Sequence, residues 1–290
     1  MSRPDGDRAP AALAVRGLTK TFRAAGGPVP ALAGVDLDVP AGEFVTLIGP
    51  SGSGKSTLFN IIAGLVEPDA GTVAIDGDAG ARRLGRVAYM PQKDLLLPWR
   101  TVMDNVILPL EVRGVPRSRA RREAAPLMAE FGLAGFERAY PAALSGGMRQ
   151  RAAFLRTVLA GGEVLLLDEP FGALDALTRG QLQEWLLDVW SRHRRTTLFI
   201  THDVDEALFL ADRVYVLTPR PGRVALTAPV DLPRPRTAAL LTAPAFVALK
   251  ARLLAVLRGE AEPPAVAPAE GVIDAAARFA QRRESGGAHS

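Results

Sequence analysis

The sequence predicts an α/β fold in which a parallel sheet is covered by helices. Three observations carry the prediction. Short apolar, β-branched runs alternate with longer helical stretches. A glycine-rich loop at 49–57 stands between one such run and a helix. A second apolar run, 164–167, ends in two carboxylates, Asp168 and Glu169. Buried parallel strands read as continuous apolar runs, and the crossovers between them are usually helices.

Taken in order, residues 1–11 are polar and read as a flexible arm. Residues 12–18 alternate apolar and polar, as a strand does; Ala-Gly-Gly-Pro at 25–28 breaks the chain, and 31–39 resume it. Pro40-Ala41-Gly42 turns into a buried strand at 43–48. After the glycine-rich loop, 57–65 is long enough for about two helical turns. Strand signals recur at 72–75 and 86–90. From about 95 to 159 the composition turns helical. Pro126, inside the stretch 118–131, either opens a new helix or kinks one. Strands return at 164–167, 196–200, 213–217 and 224–227, with a helix at 176–192 between the first two. A further helix is expected at 244–257. The Pro/Ala/Glu-rich run 259–271 reads as a linker. Residues 272–284 suit one short helix, and the last six residues read as a disordered tail. No internal repeat is present.

The 290 residues carry 35 Lys+Arg against 31 Asp+Glu, a net charge of +4. Apolar residues make up 48% and charged residues 23%, an ordinary globular balance. There is no cysteine, which excludes disulfides, thiolate metal sites and cysteine nucleophiles. The three histidines, His193, His202 and His289, are too few for a multi-histidine metal centre. No run approaches the roughly 18 apolar residues of a spanning helix. The N-terminus lacks the apolar core of a signal peptide. A role at a membrane therefore calls for a second chain that spans it. The charge is small and forms no basic stripe, so nucleic acid is not expected as a partner.

Gly49-Pro50-Ser51-Gly52-Ser53-Gly54-Lys55-Ser56-Thr57 matches G-x-x-x-x-G-K-[ST] between a strand and a helix. Glycines let the backbone wrap closely enough for its N–H groups to point inward at phosphate oxygens. Lys55 supplies a mobile positive charge for the β- and γ-phosphates, and the Ser56 hydroxyl can ligate Mg²⁺. A merely flexible Gly/Ser loop would not require this strand-before-helix placement. Asp168 and Glu169 end a buried strand, where the ligand crevice of an open α/β sheet lies. Asp168 there can hold the Mg²⁺ shell, and Glu169 can polarise an attacking water as general base. Ser145, Gly146 and Gly147 precede a helix at 148–159; they form a plain N-cap or, alternatively, an anion site.

Leu144-Ser-Gly-Gly-Met-Arg-Gln150 resembles the signature of the ABC-transporter ATPases, and other stations of that family follow its order. Phe22 stands where an adenine-stacking aromatic is expected, in place of the commoner Tyr. Gln92 is similar to the Q-loop glutamine, Ala173-Leu-Asp175 to the D-loop and His202 to the switch histidine. The resemblance covers roughly 12–232. It implies a P-loop NTPase core with a mixed, mainly parallel sheet, an antiparallel β subdomain and an α-helical subdomain. The implied layout is an ATPase domain at 12–235, its helical part at about 95–160, a C-terminal helix at 236–258, and a linker and tail at 259–290.

The resemblance further implies ATP and Mg²⁺ as cofactors, with Glu169 and His202 catalytic. The nucleotide would be held by Phe22, residues 49–57 and Gln92, and the metal by Ser56, Gln92 and Asp168. In a homodimer, Ser145, Gly146, Gly147 and Asp175 would reach the nucleotide of the other copy. The segment from Tyr89 to Asn105, with Leu-Pro-Trp and Asp-Asn-Val, looks like the nitrate/sulfonate/taurine importer group and its thiamine-precursor branch. Permease chains would then dock near Gln92–Trp99. A periplasmic or lipid-anchored substrate-binding protein would complete the assembly at the cytoplasmic face of the membrane, with this chain peripheral. Ala142-Ala143 stands where the family usually shows a polar side chain. The arginines at 117, 119, 121 and 122 read as a solvated helix face, or as a phospholipid contact. The alternatives are an exporter ATPase or a soluble ABC protein uncoupled from transport. A long coiled coil does not fit between Lys55 and Ser145, and a nucleotide kinase would not explain 144–150.

Overall fold

The computed structural model describes residues 11–80 and 82–260. Of the expected arm at 1–11 and the linker and tail at 259–290, residues 1–10 and 261–290 lie outside the described residues, and Ala11 already belongs to a strand. Two sheets organise the chain. A three-stranded antiparallel sheet has β1 (Ala11–Ala24) between β2 (Gly27–Pro40) and β4 (Ala70–Ile75). A six-stranded sheet runs β5-β6-β7-β3-β8-β9, from β3 (Phe44–Ile48), β5 (Val87–Met90), β6 (Val164–Asp168), β7 (Thr196–Ile200), β8 (Arg213–Leu217) and β9 (Val224–Pro229). Its first five positions pair in parallel, and β9 closes the edge antiparallel to β8.

β3, β6 and β7 are buried at every residue, as central strands covered on both faces must be. Because successive side chains point to opposite faces, this sheet divides two cores. Phe44, Leu165, Leu167, Phe199, Val214 and Val216 face one; Val45, Leu47, Leu166, Leu198, Tyr215 and Leu217 face the other. The second core also receives the antiparallel sheet and α1 (Lys55–Ile62).

The first core receives the helices. These are α2 (Val102–Val106), α3 (Leu108–Val112), α4 (Arg117–Glu130), α5 (Gly146–Ala160), α6 (Ala176–His193), α7 (Val204–Leu210) and α8 (Pro244–Leu257). Phe131, Phe154 and Trp185 meet at centroid distances of 5.2–5.8 Å and tie α4, α5 and α6 together. Pro126 lies inside α4, which stays one helix; the exposed position leaves the carbonyl freed by the missing N–H to water.

Several elements differ in extent from the sequence reading. β1 and β2 run as one long hairpin closed at Ala24–Gly27, so the break at 25–28 is only a tight turn. Pro28 and Pro30 are tolerated because β2 is an edge strand. The helical region begins at Val102 rather than 95, because 95–101 is a loop. α7 was not anticipated. Among the arginines of α4, Arg117 and Arg121 pair with Asp104, and Arg119 with Glu123, as a solvated face does.

Past β9 the chain is pinned by arginines. Arg236 is buried and donates to the carbonyls of Leu208, Phe209 and Ala211, satisfying the end of α7, and to those of Val230 and Leu232. Burial lowers its pKa to about 10. Arg234 lies 4.4 Å from the Trp190 ring centroid and bonds Asp212.

Candidate functional site

Strand order assembles the site. β5, β6, β7 and β3 are neighbours and parallel, so their C-terminal ends share one edge. That edge receives Gln92 after β5, Asp168 and Glu169 at β6, His202 after β7 and the 49–54 loop after β3. Ligands of open α/β sheets bind at this end.

The loop turns into α1 at Gly54, whose φ of 96° is left-handed. A Cβ there would lie 2.7 Å from the Leu32 side chain and 2.8 Å from the Ala31 carbonyl, so both backbone and space demand glycine. Lys55 is buried, and its Nζ donates to the carbonyls of Gly49 at 2.8 Å and Pro50 at 3.1 Å. Burial lowers its pKa, opposed by the carboxylates of Glu169 and Asp168. Arg220, in the turn between β8 and β9, donates from Nε to the Gly52 carbonyl at 3.3 Å.

Asp168 is buried, which raises its pKa; the Glu169 charge adds to the rise, and hydrogen bonds from Ser56 and Tyr89 work against it. The Tyr89 hydroxyl donates to Asp168 Oδ2 at 3.4 Å, and burial first, then Asp168, push its own pKa up to about 12. Glu169 has a φ of 44°, a conformation rare for a residue with a side chain. Its N–H bonds the Ile200 carbonyl at 3.0 Å. Its Oε2 meets Gln92 Nε2 at 3.2 Å and His202 Nδ1 at 3.2 Å. Two residues far apart in sequence, Gln92 and His202, thus converge on one carboxylate oxygen of Glu169, whose backbone is held off its preferred basin.

The remaining candidates lie apart. Ser145 caps α5, accepting from Met148 N–H at 3.3 Å, and Gly146 and Gly147 form its first turn. Asp175 caps α6, accepting from Thr178 N–H at 3.0 Å. These two turns adjoin, since a Cβ on Gly146 would meet Leu174 and one on Gly147 would meet Thr178. Among the described residues no hydrogen bond or ion pair joins Ser145, Gly146 or Gly147 to residues 49–57. Phe22 stands exposed near the tip of the β1–β2 hairpin, with Lys20 Nζ 5.7 Å from its ring centroid. The loop after Gln92 exposes Leu95 and Trp99. It is braced from α5, where Arg156 donates to the carbonyls of Asp94 and Leu95 and Arg149 pairs with Asp94 at 3.4 Å. Asn105, fully buried, accepts from Leu97 N–H and donates to the carbonyls of Leu97, Arg100 and Thr101.

Tyr89 and Arg220 were not singled out from the sequence. Tyr89 shows only as an aromatic in a strand, and Arg220 only as a residue between two strands; neither carries a motif.

The comparisons agree with this geometry. Residues 32–172 match the ABC transporter family model. The formylaminopyrimidine import ATP-binding protein ThiZ of Halalkalibacterium halodurans is 48% identical over 194 residues, covering 66% of this chain and 76% of that protein. An aliphatic sulfonates import ATP-binding protein, SsuB 2, of Streptomyces avermitilis is 46% identical over 226 residues, covering 78% and 84%. Among solved structures, the dimeric bacterial ABC transporter cassette MJ0796 aligns with a TM-score of 0.66 at 30% identity, covering 76% of this chain and 99% of that one. With relatives of this identity and coverage, the chain belongs to the ABC transporter family as an ATP-binding, ATP-hydrolysing cassette.

Proposed function

We propose that this chain is the ATP-hydrolysing subunit of an importer for a small solute, and that two copies sandwich two ATP molecules and drive a separate permease. The convergence of Gln92, Glu169 and His202 beside Lys55, Ser56 and Asp168 carries the reading. In it, the N–H groups of residues 49–57 bind the phosphates, and Lys55 exchanges its carbonyl partners for phosphate oxygens. Glu169 takes the proton of the attacking water, and His202 and Gln92 set its position and contact the γ-phosphate. Phe22 supplies a ring for the adenine.

The donor set of Ser56 hydroxyl, Asp168 carboxylate and Gln92 amide oxygen suits Mg²⁺, a hard cation that keeps much of its shell from water and substrate phosphates. An ion beside Asp168 would offset the burial that disfavours its charge. When bound, Mg²⁺ would neutralise charge on the phosphates.

In this reading Ser145, Gly146, Gly147 and Asp175 meet the nucleotide of a second copy rather than their own. An isologous pair repeats each contact twice. The exposed Leu95 and Trp99 offer an apolar rim to a permease helix. Their bracing by Arg149 and Arg156 links that rim to the helix that begins at Gly146. Among the described residues no helix is long and apolar enough to cross a membrane; the importer relatives support a peripheral place on the cytoplasmic face. The importer relatives support a sulfonate-type or thiamine-precursor-type cargo, selected by the permease and a periplasmic or lipid-anchored binding protein.

The test is Glu169→Gln. Expected is retained ATP binding, loss of turnover by about 10²-fold or more, and an ATP-dependent dimer on size-exclusion chromatography. Normal hydrolysis by the variant would remove Glu169 as base. Unimpaired uptake of sulfonates and pyrimidine precursors by a deletion strain would remove the cargo reading.

A further inference from the structure

Four of the six carbonyl groups of the 49–54 loop have donors from within the chain. Lys55 serves Gly49 and Pro50, Ser53 N–H also serves Pro50, and Leu58 N–H serves Gly54. The Gly52 carbonyl is served by Arg220 Nε. The turn that presents Arg220 is itself rigid. Thr218 Oγ1 donates to the Pro221 carbonyl and accepts from Arg223 N–H, and Thr218 N–H bonds the Arg223 carbonyl. Two residues on, Gly222 lies against the loop so closely that a Cβ would come 2.1 Å from the Ser53 carbonyl oxygen. Gly222 is also bonded on both sides to β2, through Ala31 O and Ala33 N.

We propose that Arg220 is a positioning residue for ATP binding: from the β8–β9 turn it holds the outer side of the phosphate loop so that the inner N–H groups stay aimed at the phosphates. The inference rests on the reading of 49–57 as the nucleotide site. It follows from how the donors divide. Lys55 must leave the carbonyls of Gly49 and Pro50 when it turns to phosphate, whereas Arg220 serves a different carbonyl, that of Gly52, from a separate element and can stay. Gly222 fixes the spacing, since one backbone junction joins the loop to the β1–β2 hairpin that carries Phe22.

The test uses the full chain as wild type and as Arg220→Ala, Arg220→Lys and Lys55→Ala, with ATP affinity measured by calorimetry, thermal stability by fluorescence, and KM and kcat by phosphate release. Arg220→Ala is expected to raise Kd and KM about tenfold, the scale of one hydrogen bond to a charged group. The loss falls on KM rather than kcat, with Tm shifted by less than about 2 °C since Arg220 is exposed. Arg220→Lys, which keeps a charged donor, is expected to regain affinity to within about threefold of wild type. A Kd for Arg220→Ala within about twofold of wild type overturns the proposal. So does a fall in Tm above about 5 °C with unchanged Kd, which would make the turn purely structural. Wild-type affinity in Lys55→Ala would instead show that the nucleotide site is misassigned, and would take the proposal with it.

Discussion

Asn105→Ala tests how the docking rim is built. The side chain is fully buried and satisfies four backbone groups: Leu97 N–H at 2.6 Å, and the carbonyls of Leu97, Arg100 and Thr101 at 3.0–3.1 Å. Truncation orphans one donor, the Leu97 N–H, and one acceptor, the Arg100 carbonyl, because the Leu97 and Thr101 carbonyls keep the N–H groups of Arg100 and Asn105. A buried donor left unsatisfied costs about 1–3 kcal/mol. The Arg100 carbonyl belongs to a half-buried residue and regains water in part, adding about 1 kcal/mol. The expected loss is therefore about 3 kcal/mol, or about 6–12 °C in Tm for a chain of this size. Asn105→Asp sharpens the test. It keeps the acceptor for Leu97 N–H but turns a carboxylate oxygen toward three carbonyl oxygens, so at pH 8 it should be less stable than Asn105→Ala. Urea unfolding followed by Trp fluorescence measures both. Equal stability of wild type and Asn105→Asp at pH 8 would refute the reasoning.

Three further outcomes are expected. Lys55→Ala should weaken ATP binding by at least about 10²-fold in calorimetry, since a buried cation facing the phosphates is lost. Ser145→Arg should leave ATP affinity of the single chain unchanged while blocking the ATP-dependent dimer in light scattering; wild-type turnover would contradict the sandwich. Glu206→Gln should flatten the pH dependence of stability. Burial raises the Glu206 pKa above its ordinary 4.5, against hydrogen bonds from Thr201 and Gln183. The folded chain therefore holds that proton more tightly than the unfolded one, and the wild type gains stability as pH falls through the raised value toward 4.5. The variant should lack that gain in denaturant titrations between pH 4.5 and 8.

The parts legible in the sequence are those where a local pattern meets an unambiguous environment. β3, β6 and β7 are buried on both faces, so they read as unbroken apolar runs. The phosphate loop and the Asp168-Glu169 pair are contiguous, and each motif carries its own flanking strand. The outer half of the β1–β2 hairpin was hidden because its residues are largely exposed and two prolines interrupt it. α7 escaped because six of its seven residues are buried, which erases the helical period. The meeting of Gln92, Glu169 and His202 depends on β5, β6 and β7 being adjacent, and Tyr89 reaches Asp168 only through the parallel register of β5 on β6. Arg220 reaches Gly52 across a large sequence separation. No local pattern encodes such contacts.

The six-stranded sheet keeps two sets of interior side chains out of touch with each other. Leu166 and Leu167 are chain neighbours, yet one packs with the α1 side and the other with the helices. Leu96, Val102 and Met103, close in sequence to the exposed Leu95 and Trp99, belong to the helical set, and Leu58, Phe59, Ile61 and Ile62 of α1 to the other. Substitutions packed beneath that exposed loop therefore act on a different interior from those packed against α1. Remote changes on opposite sides should combine additively. Each face of the sheet can thus be repacked while the other keeps its fit.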